Sequence, residues 1–160
     1  MGSHDDHSAE ARAIWRARGV RVSEFPETLE AAQAARDAGE AVILGAPNVV
    51  RGASHAGNVS AQSLVAEGLC NALASDYHYP APARAALRCV ELGLLDEVAA
   101  WGLVSSGPAR LLRLEDRGQI EAGLRADLVV MDRATRRIVA TLAGGRIACL
   151  SGDVAERFLA

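Results

Sequence analysis

Not one lysine occurs in this chain; all 17 of its basic residues are arginines. That excludes any lysine-dependent chemistry from within the chain itself. Cysteine is sparse. Cys70, Cys89 and Cys149 are far apart, odd in number and never spaced C-x-x-C, which argues against structural disulfides and a zinc knuckle and suits a reducing cytoplasm. No apolar run approaches the roughly 20 residues of a membrane span. The opening MGSHDDHSAE is polar and acidic, unlike a secretory leader. Net charge is −3, so there is no basic field to hold nucleic acid or an anionic membrane surface. What remains is a 160-residue chain, half apolar and 23% charged, long enough for a globular domain with a real core.

Apolar periodicity then alternates between helix and strand. Ser8–Arg18 reads as a helix capped by Ser8 and stopped at Gly19, with Ile14 and Trp15 on its apolar side. Residues 20–25 read as a short strand, Thr28–Ala38 as a helix with Leu29, Ala32 and Ala35 inward, and Ala41–Leu44 as a strand. A long polar loop, Leu44–Asn58, follows; then a helix over Ala61–Ala66 and a strand over Leu69–Ser75. Such alternation with short links predicts βαβ units and a parallel sheet, an α/β fold. Helices are expected over Ala83–Leu92 and Leu94–Val104, and strands over Leu128–Met131, Ile138–Leu142 and Arg146–Leu150.

Chemistry-bearing residues collect where strands should end, which is where α/β proteins place their sites. The loop LGAPNVVRGASHAGN combines glycines with Arg51, suited to forked phosphate contacts, and with Asn48, Ser54, His55 and Asn58, all hydrogen-bonding groups. A polar turn would explain the same composition. Asp76 closes the next strand, where a carboxylate can take a proton or bind a cation, or merely cap a turn. Glu24 ends an earlier strand and reads as a base or as a hydrogen-bonded structural acid. His4, Asp5, Asp6 and His7 are four consecutive metal-ligand types. With no apolar run before them, their residue types read first as a solvated terminus capping the next helix.

Four segments in combination, SHDD, EFPETLEAA, GAPNVVRGASHAGN and ASDY, resemble the ribose-triphosphate diphosphatases of phosphonate breakdown, a family of the amidohydrolase superfamily. ADLVVMD resembles the superfamily's closing segment. The resemblance runs from Ser3 to about Arg146. It implies the C-terminal half of a TIM-like β/α barrel of about four βα units, residues 1–112, followed by a small β-sandwich segment, residues 113–160. It implies metal-dependent hydrolysis of a phosphoric anhydride: a divalent metal (Zn, Mn or similar) facing His4 and Asp76, catalysis by Asp76 and His55, and a phosphorylated ribose held by Arg51, Asn48, Ser54 and Asn58. A C–N bond amidohydrolase of the same superfamily is the nearest alternative activity. A non-catalytic fragment is the alternative outside enzymes. A complete enzyme of this kind has a His-x-His pair and usually a lysine or acid bridging two metals; this chain has neither a His-x-His pair nor any lysine. It is therefore expected to be inactive alone, and to need a complementary barrel half or to self-associate. One departure is local: Gly107 stands where the family usually has asparagine before the Pro-Ala pair.

Overall fold

The computed structural model describes residues 1–52 and 58–159. The chain divides into two compact units, Met1–Leu112 and Arg113–Ala160. In the first unit β1 (Gly2–His4), β2 (Val22–Glu24), β3 (Ala41–Gly45) and β4 (Ala72–Ala74) form one sheet in the order β1-β2-β3-β4. All three pairings are parallel. Between them lie α1 (Ala9–Ala17), α2 (Leu29–Asp37), α3 (Ala46–Arg51) and α4 (Ala61–Ala66); α5 (Ala81–Glu91), α6 (Glu97–Gly102) and α7 (Ser106–Leu111) follow.

The helix boundaries have identifiable causes. Ser8, Thr28 and Ser60 cap α1, α2 and α4 by accepting the amides of Ala11, Ala31 and Gln62, which satisfies donors a helix start leaves open. The first two of these helices end alike. Gly19 and Gly39 take left-handed φ values of 80° and 69°, and the next residues, Val20 and Glu40, donate back to Trp15 and Ala35. This closure satisfies the last carbonyls and turns the chain into the following strand.

Side-chain alternation sorts the sheet into two faces. Ser3, Ser23 and Val42 lie side by side, with Leu44 beside Leu73, and all five are buried. They face the helices. Val42, Leu44 and Leu73 join Ala32 and Ala35 of α2, Val49 of α3, Leu64 and Val65 of α4, and Ala85, Ala86 and Cys89 of α5 in the apolar core. The other face carries His4, Glu24 and Ile43 in one row, each exposed or half-buried, with Ala72 buried at its end. No second layer covers that row among the described residues. A sheet helical on one side and open on the other is the half-barrel the sequence implied.

At the β1 edge an ionic cluster replaces the apolar core. Arg12 of α1 is fully buried. Its Nε donates to Glu40 Oε2 at 2.9 Å, its Nη1 to Asp6 Oδ2 at 3.0 Å and to Ser3 Oγ, and its Nη2 to the Val20 carbonyl at 2.9 Å. Ser3 and Ser23 each donate to the same Asp6 oxygen at 2.6 Å. Burial pushes the Asp6 carboxyl up, but the bonds from Ser23, Ser3 and Arg12 outweigh it and hold it below the ordinary carboxylate value. Burial likewise raises Glu40, and Arg16 and Arg12 more than reverse that.

Several sequence expectations need correction. His4 does have a strand beneath it: β1 pairs with β2, and the Asp5 amide extends the ladder to the Glu24 carbonyl at 3.0 Å. A parallel neighbour supplies the order that local hydrophobicity did not signal. The long loop is shorter, because α3 starts directly after β3 with Pro47 in its first turn, where a missing amide hydrogen costs nothing. The strands β2 and β4 are only three residues long. The buried residue of α1 is Arg12, while Ile14 is 48% exposed; Leu29 of α2 is also exposed. Gly107 lies within α7, where a Cβ would run into the Asn71 carbonyl oxygen and stand 2.9 Å from that of Gly102. The approach of two backbones accounts for glycine there.

The second unit is an antiparallel sheet of β5 (Leu128–Met131), β6 (Ile138–Ala143) and β7 (Arg146–Leu150) in that order, followed by α8 (Asp153–Leu159). It forms one layer, with Val129, Val130, Ile138 and Ile147 exposed.

Candidate active site

Because the strands of the first sheet are parallel, their C-terminal ends open on one side. A cavity of about 200 Å³ lies there. It is lined by Asp5 after β1, Phe25 after β2, Asn48 in α3, Asn58 before α4, and Asp76 and Tyr77 after β4. Two of these residues hold unusual backbone: Asp5 and Phe25, each directly after a strand, have φ values of 57° and 54°. Left-handed backbone in non-glycine residues costs on the order of 1 kcal/mol or more and gathers at functional sites. Here it is fixed by ladder bonds from Asp5 to Glu24 and from Phe25 to the Ile43 carbonyl at 2.9 Å.

Of the residues singled out in sequence, Asp76, Asn48 and Asn58 share this cavity. Asn58 donates one amide hydrogen to Glu27 Oε1 at 3.2 Å, which orients the group and leaves a second amide hydrogen. Arg51, at the last turn of α3, donates to the Tyr77 hydroxyl and places its guanidinium 6.0 Å above the Tyr77 ring. Ser54 and His55 lie outside the described residues.

His4 ends β1 and stands beside Glu24 in the ladder. Its Nδ1 lies 2.8 Å from Asp5 Oδ2, and its ring meets Phe25 edge-on at 5.1 Å. A carboxylate on Nδ1 fixes that nitrogen as the donor and leaves Nε2 as the lone-pair nitrogen, the arrangement in which histidine serves as a ligand or base. The four-residue run HDDH thus separates by direction. Asp5 lines the cavity, and His4, which is not among its lining residues, meets the lining residue Phe25; Asp6 turns into the ionic cluster. Its Oδ1 is buried without a hydrogen-bond partner.

Among the described residues, no three His, Cys, Asp or Glu side chains gather as a cation site. His4 ends β1 and Asp76 follows β4, the two edge strands of the sheet, so these residues alone do not make a metal centre. Sequence reading took Asp5 as one of four metal-ligand types and offered Tyr77 and His78 as pocket-lining residues; Tyr77 lines the cavity and His78 is not among its lining residues. Strand alternation alone would put Asp5 on the side of Ser3 and Asp6 on the other; the left-handed backbone at Asp5 reverses this, and no local sequence signal announces it. Tyr77 was marked by its place one residue beyond a strand-end aspartate.

No protein-family model matches the chain. In sequence it is similar to the α-D-ribose 1-methylphosphonate 5-triphosphate diphosphatase of Escherichia coli (strain K12), with 42% identity over 144 residues, 86% of this chain and 37% of that protein. In fold it is similar to an amidohydrolase of Thermotoga maritima MSB8, with a TM-score of 0.72 at 22% identity over 94% of this chain and 43% of the other. It is similar also to an N-acetylglucosamine-6-phosphate deacetylase of Thermotoga maritima, with a TM-score of 0.65 at 16% identity, covering 91% and 51%. The chain therefore spans about two fifths of the length of the diphosphatase and about half that of these structures. Among the described residues no helix is long and apolar enough to cross a membrane.

Proposed function

Starting from a chain similar in sequence to a phosphonate-linked diphosphatase and built on an amidohydrolase fold, we propose that it forms the phosphate-holding part of a hydrolase acting on a ribose 5-triphosphate. The reaction would cleave a phosphoric anhydride and release diphosphate. One observation carries the reading: Asp76, Asn48 and Asn58 line one cavity at the C-terminal ends of four parallel strands, and Arg51 is held at Tyr77 on its wall.

In this reading the amides of Asn48 and Asn58 and the Arg51 fork hold phosphate oxygens. Asp76 accepts the proton of the attacking water as the water's oxygen forms its bond to phosphorus and the anhydride oxygen departs with the diphosphate. His55 would donate to the leaving group, and Ser54 would add a hydroxyl. His4, oriented by Asp5, would face the reacting end. A divalent metal (Zn, Mn or similar), if the complete enzyme carries one, would supply charge neutralisation. This chain's described residues do not complete a site for it, and no step above depends on it. The missing ligands, and a cover for the open sheet face, would come from a complementary barrel half.

The test measures diphosphate release from α-D-ribose 1-methylphosphonate 5-triphosphate, with the chain alone and with the complementary half supplied. Asp76→Asn should reduce turnover in the active assembly by about 10²-fold or more while retaining substrate binding. Arg51→Ala should raise the Kd, and Arg51→Lys should raise it less, because lysine keeps the charge and loses the fork. Full turnover in Asp76→Asn would remove that residue from catalysis. Unchanged binding in Arg51→Ala would favour the C–N bond reading, which needs no polyphosphate clamp.

A further inference from the structure

Tyr77 anchors Arg51 at the cavity wall, and its own hydroxyl hydrogen is still without an assigned role. Its hydroxyl accepts a hydrogen bond from Arg51, its ring lies beneath the same guanidinium, and its side chain lines the cavity that Arg51 itself does not line. It therefore joins two groups of potential anion donors: the amides of Asn48 and Asn58 inside the cavity, and the cation outside it.

We propose that Tyr77 is a specificity-determining ligand-binding residue that selects oligophosphates over single phosphates. This rests on the phosphate-holding reading of the site. A phenol has one hydrogen to donate and can accept through its oxygen. With Arg51 already donating to that oxygen, the Tyr77 hydrogen must point elsewhere, and a neighbouring cation polarises the O–H and strengthens it as a donor. The ring offers its negative face to the guanidinium, a second contact beside the hydroxyl that helps to hold the fork. Asn48 and Arg51 are three residues apart on α3, so they lie on the same side of the helix about 4.5 Å apart along its axis. Tyr77 stands at the join. An orthophosphate in the cavity meets only the amides. A chain of two or three phosphates runs past them to the phenol and the guanidinium. The carboxylates of Asp5 and Asp76 oppose an anion that fails to reach the cation, which sharpens the preference for length.

The experiment uses calorimetric titration of the chain with inorganic tripolyphosphate and, separately, orthophosphate at fixed ionic strength. Wild-type protein should bind tripolyphosphate more tightly. Tyr77→Phe, which keeps the ring and removes the hydroxyl, should weaken tripolyphosphate binding by about tenfold and leave orthophosphate unchanged, which narrows the ratio between them. Tyr77→Leu should weaken it further, since the guanidinium then loses the ring as well. Tyr77 is 67% exposed, so both variants should keep the wild-type circular dichroism and melting temperature. A Tyr77→Phe ratio equal to wild type, with Arg51→Ala still losing tripolyphosphate, would overturn the role of Tyr77 and leave the phosphate-holding reading standing. Equal weakening of both anions by Tyr77→Phe would also overturn it, as a general loss without selection by length. No loss of tripolyphosphate in either Arg51→Ala or Tyr77→Phe would overturn both.

Discussion

Replacing Arg12 by methionine tests what holds the β1 edge. Methionine fills the space of the arginine stem but removes the charge and every bond the guanidinium makes. Glu40 keeps Arg16 at 2.9 Å and Arg21 at 3.6 Å, so it stays paired. Asp6 is left with only the hydroxyls of Ser3 and Ser23, a buried carboxylate facing no cation. Breaking a buried pair by removing one partner costs about 3–5 kcal/mol, a large share of the roughly 5–15 kcal/mol that keeps a domain folded. The lower end is expected here because the two hydroxyls remain. Adding Asp6→Asn to Arg12→Met should recover part of the loss, since the stranded charge goes with it.

Acid supplies the second half of this test. The folded-state pKa values of Asp6 and Glu40 lie below their ordinary values of 3.8 and 4.5, so the unfolded chain binds protons first as pH falls. The cluster therefore contributes fully above about pH 4.5 and loses its contribution as pH drops through the depressed values. Arg12→Met no longer holds Asp6 down, so its stability should fall less on acidification and the two proteins should converge. Urea unfolding at fixed protein concentration, read by fluorescence, suits the purpose because both tryptophans, Trp15 and Trp101, lie in the first unit. A loss under about 1 kcal/mol at pH 7, or a gap that does not narrow below pH 4, would refute the argument.

Gly107→Ala should destabilise the first unit by more than the roughly 1–3 kcal/mol of ordinary overpacking, because the obstacle is the Asn71 backbone and not a side chain that can move; thermal melting reads it. Thiol alkylation of the native chain at pH 8 should modify Cys149 fast and the others slowly, since Cys149 is exposed, burial and the neighbouring Cys89 push the Cys70 thiol up to about 12, and burial raises Cys89 as well. Three equally fast labels in mass spectrometry would contradict that. The purified chain alone should carry little metal and should self-associate through its open sheet face and strand edges; elemental analysis showing one tightly bound ion per monomer would oppose this.

The α/β order was legible because it is written in short-range signals: capping serines and threonines, glycines at helix ends, and apolar runs between them. The three strands of the second unit were legible for the same reason. What sequence could not show was long-range. Strand β1 has no hydrophobic signature, since it is held by pairing to β2 and by polar anchors. Arg12 is enclosed by Asp6, six residues before it, and by Glu40, 28 residues after it, contacts that no helical periodicity announces. At the site, Asp76 and the asparagines were visible as strand-end polar residues. Asp5 was not separable from Asp6, because only the backbone turn at φ 57° decides which of the two faces the cavity.

Strand order in the first sheet follows chain order, and each strand bonds only to the next one along. Such a sheet behaves like a stack of repeats, in which a local defect is felt by neighbours and fades with distance. The two ends of this stack are held differently: apolar packing gathers at β3, β4 and α5, while β1 and α1 rest on ion pairs and hydroxyls. Amide exchange should therefore run as a gradient, fastest at Gly2–His4 and slowest near Val42–Leu44, and opening should begin as an unzipping from the first strand. That end carries His4 and Asp5. Polar anchoring at the first strand would let one side of the cavity loosen while the wall that holds Asn48 and Asp76 stays in place.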